Sequence, residues 1–216
     1  MLSSYFANNL EQQLSAITEH GFCVMDNFAS QATVSALAKE IGALNDATGM
    51  RKAGTGKTQI QINNQLRGDS IYWLNEANSS AAQQTYLDQM ELLRLALNQH
   101  LYLGLFALES HLALYPIGAS YGKHLDRFQQ SNIKENDQSV RQVSCILYLN
   151  QDWLEVDGGC LRLYLNPSNT TTNVPYIDIA PLGGRLVLFL SDTFYHEVLR
   201  SNKARMSLTG WFLTRQ

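Results

Sequence analysis

The sequence predicts an α+β fold in which helices gathered near the N-terminus cover one face of a β-sandwich or jelly-roll. Three observations predict it. Apolar residues recur at helical spacing in three stretches ahead of Leu105; short β-branched and aromatic runs separated by turn signals dominate everything after it; and 45% hydrophobic content over 216 residues is enough to bury one real core. We therefore expect a single domain over 1–216, with support elements over 1–104 and the β core over 105–216.

The first helix is expected over about 5–19, where Phe6, Leu10, Leu14 and Ile17 share a face and His20-Gly21 follows as a glycine C-cap would. Phe22 to Phe28 is short, apolar and β-leaning. Ser30 stands where an N-cap belongs before the periodic run Thr33 to Leu44. From Met50 to Ser70 the chain is polar, basic and glycine-dotted, with Gln59-Ile60-Gln61-Ile62 alternating like an exposed strand, and it reads as a hairpin or flap. Ala81 to Leu103 returns to a 3.6 period through Tyr86, Met90, Leu93, Leu97 and Leu101. Eight strands follow: His111–Tyr115, Tyr121–Asp126, Gln142–Asn150, Cys160–Leu165, Tyr176–Ile179, Arg185–Leu190, Tyr195–Leu199 and Arg205–Phe212.

Composition removes several function classes. A net charge of -3 with scattered basic residues argues against nucleic acid, and no run of apolar residues is long enough to span a membrane. Cys23, Cys145 and Cys160 are odd in number and far apart, as in a reducing, cytoplasmic setting. Gly54-Thr55-Gly56-Lys57-Thr58 imitates the end of a phosphate-binding loop. Arg51 stands at the motif's leading glycine, however, and neither a preceding apolar strand nor a following helix is present.

His124-Leu125-Asp126 is the first feature that carries chemistry, because residues i and i+2 of a strand face the same way and can hold one ion. Alone it is weak, since chance supplies about 0.4 such matches in a chain of this composition. His196, beyond an apolar strand, supplies a third ligand. Two histidines and a carboxylate make the facial set that leaves half of an octahedral ferrous ion open. Arg205, nine residues further on, is expected to face His196 across a hairpin turning between Arg200 and Ser201, with its guanidinium just past the metal. There it can pair with a carboxylate whose molecule chelates the ion from its other end, an arrangement for which a zinc or manganese hydrolase has no use. Ser207, Thr209 and Trp211 share its side, forming a polar and aromatic wall.

With these residues in place, the sequence resembles the Fe(II)/2-oxoglutarate-dependent dioxygenase superfamily, and within it the prolyl 4-hydroxylases related to the animal hypoxia-sensing enzymes and their bacterial counterparts. The resemblance runs from about Gln65 to Phe212. Arg67-Gly68-Asp69 with Trp73, Leu114-Tyr115-Pro116, Tyr121 to Asp126, Tyr148 to Trp153, Gly158 to Arg162, His196-Glu197-Val198 and Arg205 to Trp211 carry it.

It implies a double-stranded β-helix core of the jelly-roll type with supporting N-terminal helices. It also implies Fe(II) as cofactor, 2-oxoglutarate and O2 as co-substrates, and ascorbate as reductant. Arg205, Tyr148, Thr209 and Tyr115 then correspond to co-substrate-binding positions, and Tyr121, Arg141 and Trp211 to positions near a substrate proline. Residues 50–69 correspond to a finger loop that an Asp69–Arg141 pair would hold. The implied partner is a protein substrate with a target proline, elongation factor Tu being one case by analogy, acted on by a monomer. A hydroxylase of a free amino acid or other small molecule, and a non-catalytic metal-binding module, are the alternatives this leaves. The finger is basic (Arg51, Lys52, Lys57, Arg67) and the stretch from Arg127 to Asp137 long and polar, so the parts that would touch a substrate are the ones peculiar to this sequence.

Overall fold

The computed structural model describes residues 4–54, 67–127, 139–165 and 174–215, with side chains from Leu10 onward. The alternating Gln59–Ile62 run, most of the loop-like Gly54–Thr58 segment and nearly all of the Arg127–Asp137 stretch lie outside these residues. Among the described residues three α-helices and eleven strands follow in the order α1 (Ser4–His20), β1 (Phe22–Met25), α2 (Gln31–Asp46), β2 (Arg51–Lys52), β3 (Ser70–Trp73), α3 (Ala81–Leu101), β4 (Leu105–Tyr115), β5 (Tyr121–His124), β6 (Ser139–Tyr148), β7 (Leu161–Tyr164), β8 (Tyr176–Ile179), β9 (Leu186–Leu190), β10 (His196–Val198) and β11 (Arg205–Arg215).

Local chemistry sets the helix ends. Gly21 leaves α1 at φ 78°, and a side chain there would drive its Cβ to 2.8 Å from the Phe194 ring. The Ser30 and Ser80 hydroxyls each accept a first-turn amide, from Thr33 and Gln83, both at 3.1 Å. Helix α3 stops where Tyr102 turns left-handed at φ 52°. The Asn98 side chain then brackets the backbone of Leu105, accepting from its amide at 2.8 Å and donating to its carbonyl at 2.7 Å. This clasp starts β4 six residues before His111, where periodicity alone began the strand.

The strands form two antiparallel sheets, one ordered β1-β9-β6-β11-β4-β3-β2 and the other β5-β10-β7-β8. Period two divides the larger sheet between two cores. Cys145, Leu147, Leu208 and Phe212 face the helices, meeting Leu14, Leu37, Met90, Leu93 and Leu97. Ile146, Tyr148, Ala113 and Tyr115 face inward against Leu161, Leu163, Phe194 and Val198 of the smaller sheet and its loops. The second core is the jelly-roll interior, and it holds the site.

The polar segment read as a hairpin or flap is paired at its two ends as a hairpin is, Arg51 with Ile71 and Lys52 with Ser70, and β3 then joins β4, so these ends extend the larger sheet. One expectation changes. The expected hairpin between the strands of His196 and Arg205 does not form. Strand β10 pairs with β5 and β7, whereas β11 pairs with β4 and β6, so the chain crosses from one sheet to the other between them. At the crossover, Ser201 bridges to Gly158 and its carbonyl accepts from the Gly118 amide at 2.8 Å, bonds that a tight hairpin turn would have used internally.

Candidate active site

Antiparallel pairing of β5 with β10 sets His124 directly opposite His196, and Asp126 follows two residues past His124. The potential ligand atoms of the three side chains all lie within 4.8 Å of one another. His124 Nε2 is 3.5 Å from Asp126 Oδ1, and His196 Nε2 is 3.6 Å from Oδ2. Both imidazoles are oriented by carbonyls: Nδ1 of His124 bonds Gly122 O at 2.8 Å and Nδ1 of His196 bonds Phe194 O at 3.1 Å. A carbonyl only accepts, so each Nδ1 carries the proton and each Nε2 presents its lone pair to the shared centre. Tyr121 stacks on His124 at 3.7 Å, and Phe189 meets His196 edge-on at 4.7 Å.

Burial pushes His196 down to about 4, with the neighbouring His124 adding to the effect. Burial acts to raise the Asp126 carboxyl, but the adjoining imidazoles, His196 first and then His124, outweigh it and hold the group well below the carboxylate range. At neutral pH Asp126 is therefore a carboxylate and His196 a neutral imidazole, the forms in which they can hold a divalent ion.

Sequence reasoning missed the group that fixes the carboxylate. The Ser144 hydroxyl donates to Asp126 Oδ2 at 2.7 Å and shares a 2.9 Å bond with Ser191, and neither serine has more than trace exposure. A serine on the inward face of the apolar strand Val143–Leu149 was the available signal, because a buried hydroxyl needs a partner.

Arg205 is 1% exposed and is gripped from below, its Nε donating to Gly159 O at 3.0 Å. The guanidinium lies 4.9 Å from the Tyr148 ring and 5.1 Å from the Tyr115 ring. Gly159 makes room for it: at φ 67°, a Cβ there would fall 2.9 Å from Ser201 Cβ and 3.4 Å from Arg205 Cδ. Arg205 Nη2, Tyr148 Oη and Ser201 Oγ are all buried without a partner. Native interiors seldom leave such groups unpaired, so this cluster of donors fits an acceptor, and a carboxylate has the lone pairs to serve several. Burial raises the hydroxyls of Tyr148 and Tyr115, keeping both protonated as donors. Thr209 is on the same face, its hydroxyl 3.4 Å from that of Ser207.

The remaining expected residues gather at the same interior but in other pairings. Asp69 is fully buried and takes a two-point contact from Arg67, at 2.7 and 3.0 Å, while the Arg67 guanidinium covers the Tyr121 ring at 4.6 Å. Arg141 pairs with Glu109 at 2.7 Å and lies 3.5 Å above the Trp211 ring. The expected Asp69–Arg141 pair is therefore absent. Strand β3, beside Asp69, is separated from β6 by β4 and β11, a distance of about 14 Å, and nearer partners serve both charges.

Two buried histidines predict acid sensitivity. Burial is the main cause at both His196 and His111, which it pushes down to about 4 and about 3. The unfolded chain takes up protons below about pH 6.5 and the folded one does not until these lower values, so stability is complete above 6.5 and is lost as pH falls toward them. At pH 5 each histidine accounts for a loss of roughly 2 kcal/mol. The melting temperature of metal-free protein should fall by several degrees between pH 7.5 and 5; a flat profile would contradict the buried neutral state.

Comparison with known proteins agrees with this geometry. The sequence model of the 2OG-Fe(II) oxygenase superfamily matches residues 110–213. A prolyl-4-hydroxylase from Pseudomonas putida is 39% identical, with a TM-score of 0.79 over 96% of this chain and 100% of that one. A prolyl hydroxylase from Trichoplax adhaerens, solved with a hypoxia-inducible-factor peptide fragment, is 23% identical and shares the fold at a TM-score of 0.78 over 97% of this chain and 93% of that one. Human Egl nine homolog 1 is 28% identical over 210 residues, which is 94% of this chain and 46% of that protein. The chain thus spans about half the length of the first curated relatives it matches. On the fold, the matched region and the 39% identity across a whole solved chain, the protein belongs to the 2OG-Fe(II) oxygenase superfamily.

Proposed function

We propose that the protein is an Fe(II)- and 2-oxoglutarate-dependent prolyl 4-hydroxylase acting on a protein substrate. The observation that carries this reading is the cradle of unpartnered donors, Arg205 Nη2 and Tyr148 Oη, set in the same interior as the His124, Asp126 and His196 triad. In this reading the triad holds the iron by two imidazole nitrogens and one carboxylate oxygen. Arg205 and Tyr148 hold the far carboxylate of 2-oxoglutarate, with Tyr115 and Thr209 lining its length. Bound iron supplies the activation of O2, one oxygen atom passing into succinate as CO2 is lost and the other into the substrate C–H bond; ascorbate keeps it ferrous.

The protein's part is placement and exclusion of water. Ser144 and Ser191 fix the carboxylate, and the Gly122 and Phe194 carbonyls fix the imidazoles. The Arg67–Asp69 pair holds the base of the finger segment against Tyr121. Arg141, stacked on Trp211, presents a flat cationic and aromatic wall of the kind that packs against a proline ring.

A polypeptide substrate is supported by the similarity to prolyl hydroxylases, one of which was solved with a peptide fragment bound. Elongation factor Tu is the first candidate to test by analogy with bacterial relatives, for an enzyme acting as a cytoplasmic monomer. Among the described residues no helix is long and apolar enough to cross a membrane. Incubation with cell proteins, purified elongation factor Tu and free proline, each with iron, ascorbate and 2-oxoglutarate, separates the substrate classes. We expect a gain of one oxygen on a prolyl residue of a protein. Oxidation of free proline alone would reassign the enzyme to small molecules, and no succinate in any arm would leave only a metal-binding module.

A further inference from the structure

His111 is a group that the reading above does not use. It lies on β4 directly opposite Thr209 and Trp73 in the two neighbouring strands, on the inward face of the larger sheet. It is 2% exposed, and its Nδ1 is buried with no partner. Trp73 and Trp211 clasp the ring, with centroids at 4.9 and 5.5 Å, and Trp211 Nε1 is likewise buried and unpartnered. Burial first, then the charges of Arg67 and Arg141, push the imidazole down to about 3, although Asp126 opposes them. The ring is thus neutral and lies within electrostatic reach of the proposed metal ligand.

Two unpartnered nitrogens side by side in a dry wall call for an oxygen acceptor. An indole can only donate, and a neutral imidazole can donate from one nitrogen. Position along the sheet says which acceptor. Tyr148, in the donor cradle, is opposite Ser207, while His111 is opposite Thr209, two residues further along the same strand. Two residues of strand span about 7 Å along the sheet, and β6 and β4, on either side of β11, stand about 10 Å apart across it, so the two inward side chains bracket a space of the order of an extended five-carbon diacid. With one end at Arg205 and Tyr148, the other end arrives beside Thr209 and His111, two residues short of Trp211, which stands opposite the Ser144 that holds Asp126.

We propose that His111 binds the co-substrate, donating from Nδ1–H to the carboxylate of its 2-oxo acid end, with Trp211 Nε1 as the neighbouring donor. This rests on the assignment of Arg205 and Tyr148 to the far carboxylate. It makes the pocket read both ends of the diacid by donors of different kinds, a buried cation at the tail and a neutral ring at the head.

The test is the dissociation constant of 2-oxoglutarate from Mn(II)-loaded protein without O2, measured by calorimetry beside that of glutarate, which has the tail but not the oxo acid. His111→Leu should weaken 2-oxoglutarate about 10-fold and leave glutarate and Mn(II) affinity within about twofold, as loss of one hydrogen bond to a charged group would. His111→Gln, which keeps a donor, should recover most of the loss. Unchanged 2-oxoglutarate affinity in His111→Leu, or equal weakening of both acids and the metal, would overturn the proposal, the first leaving the nitrogen to water and the second to packing. If wild-type protein fails to bind 2-oxoglutarate, or Arg205→Ala binds it normally, the co-substrate assignment fails instead.

Discussion

Asp126→Ala is expected to abolish turnover and to lower metal affinity by more than about 100-fold, since removing even outer partners of a metal site costs 10- to 100-fold. The reason is charge. Asp126 and His196 are buried, each histidine turns Nε2 toward the shared centre, and Asp126 is the one anion among the three candidate ligands. Without it a dication would sit in a low-dielectric interior with no adjacent negative charge, a cost that two imidazoles cannot offset. Asp126→Asn separates charge from shape, because the amide still occupies the space and its oxygen can still accept from Ser144. It should bind metal nearly as poorly as Asp126→Ala while melting close to wild type. Titration with Mn(II) followed by electron paramagnetic resonance reads the affinity directly, and wild-type affinity in either variant would remove Asp126 from the ligand set.

Much of this site was legible in the sequence because its parts are local or periodic. The His-x-Asp spacing on a strand, the alternation that puts Arg205, Ser207, Thr209 and Trp211 on one face, and the Ser30 and Gly21 helix boundaries all follow from a few adjacent residues. Partner choice does not. Nothing in Tyr195–Leu199 or Arg205–Phe212 says whether those strands pair with each other or with strands far away in the chain. The hairpin reading assumed the nearest partner, whereas β10 and β11 fall into opposite sheets. Arg205 still lies on the interior that holds the triad, but on the facing sheet. The Asp69–Arg141 expectation failed for the same reason in reverse: the simplest partner, Arg67, was two residues away on the same face, and the long-range pair was preferred to it. Strand β3 was hidden because its neighbours are polar, and Ser144 because a lone serine in an apolar strand has no pattern to announce it.

Arg205→Ala should leave the metal site intact and raise the requirement for 2-oxoglutarate by roughly 30- to 4000-fold, the range expected when one member of a buried charged pair is removed at about 2–5 kcal/mol. The loss falls on binding of the co-substrate because, among the described residues, Arg205 is held by Gly159, Tyr148 and Tyr115 rather than by the candidate metal ligands. Arg205→Lys is the sharper variant. Lysine keeps the positive charge but not the fork, so it cannot both hold Gly159 O through Nε and offer Nη2 to a carboxylate. If charge alone recruits the co-substrate, the lysine variant should recover most of the affinity; if the fixed direction of Nη2 matters, it should stay within about tenfold of alanine. Because the side chain fills space beside Ser201 and Gly159, the alanine variant must also be checked by thermal melting, and added glutarate should then stabilise wild type but not the variant. Mn(II) affinity equal to wild type in Arg205→Ala, with loss only of 2-oxoglutarate, separates the arginine's role from that of Asp126. Parallel loss of metal and co-substrate would show instead that Arg205 supports the triad, and the cradle of unpartnered donors would need another ligand.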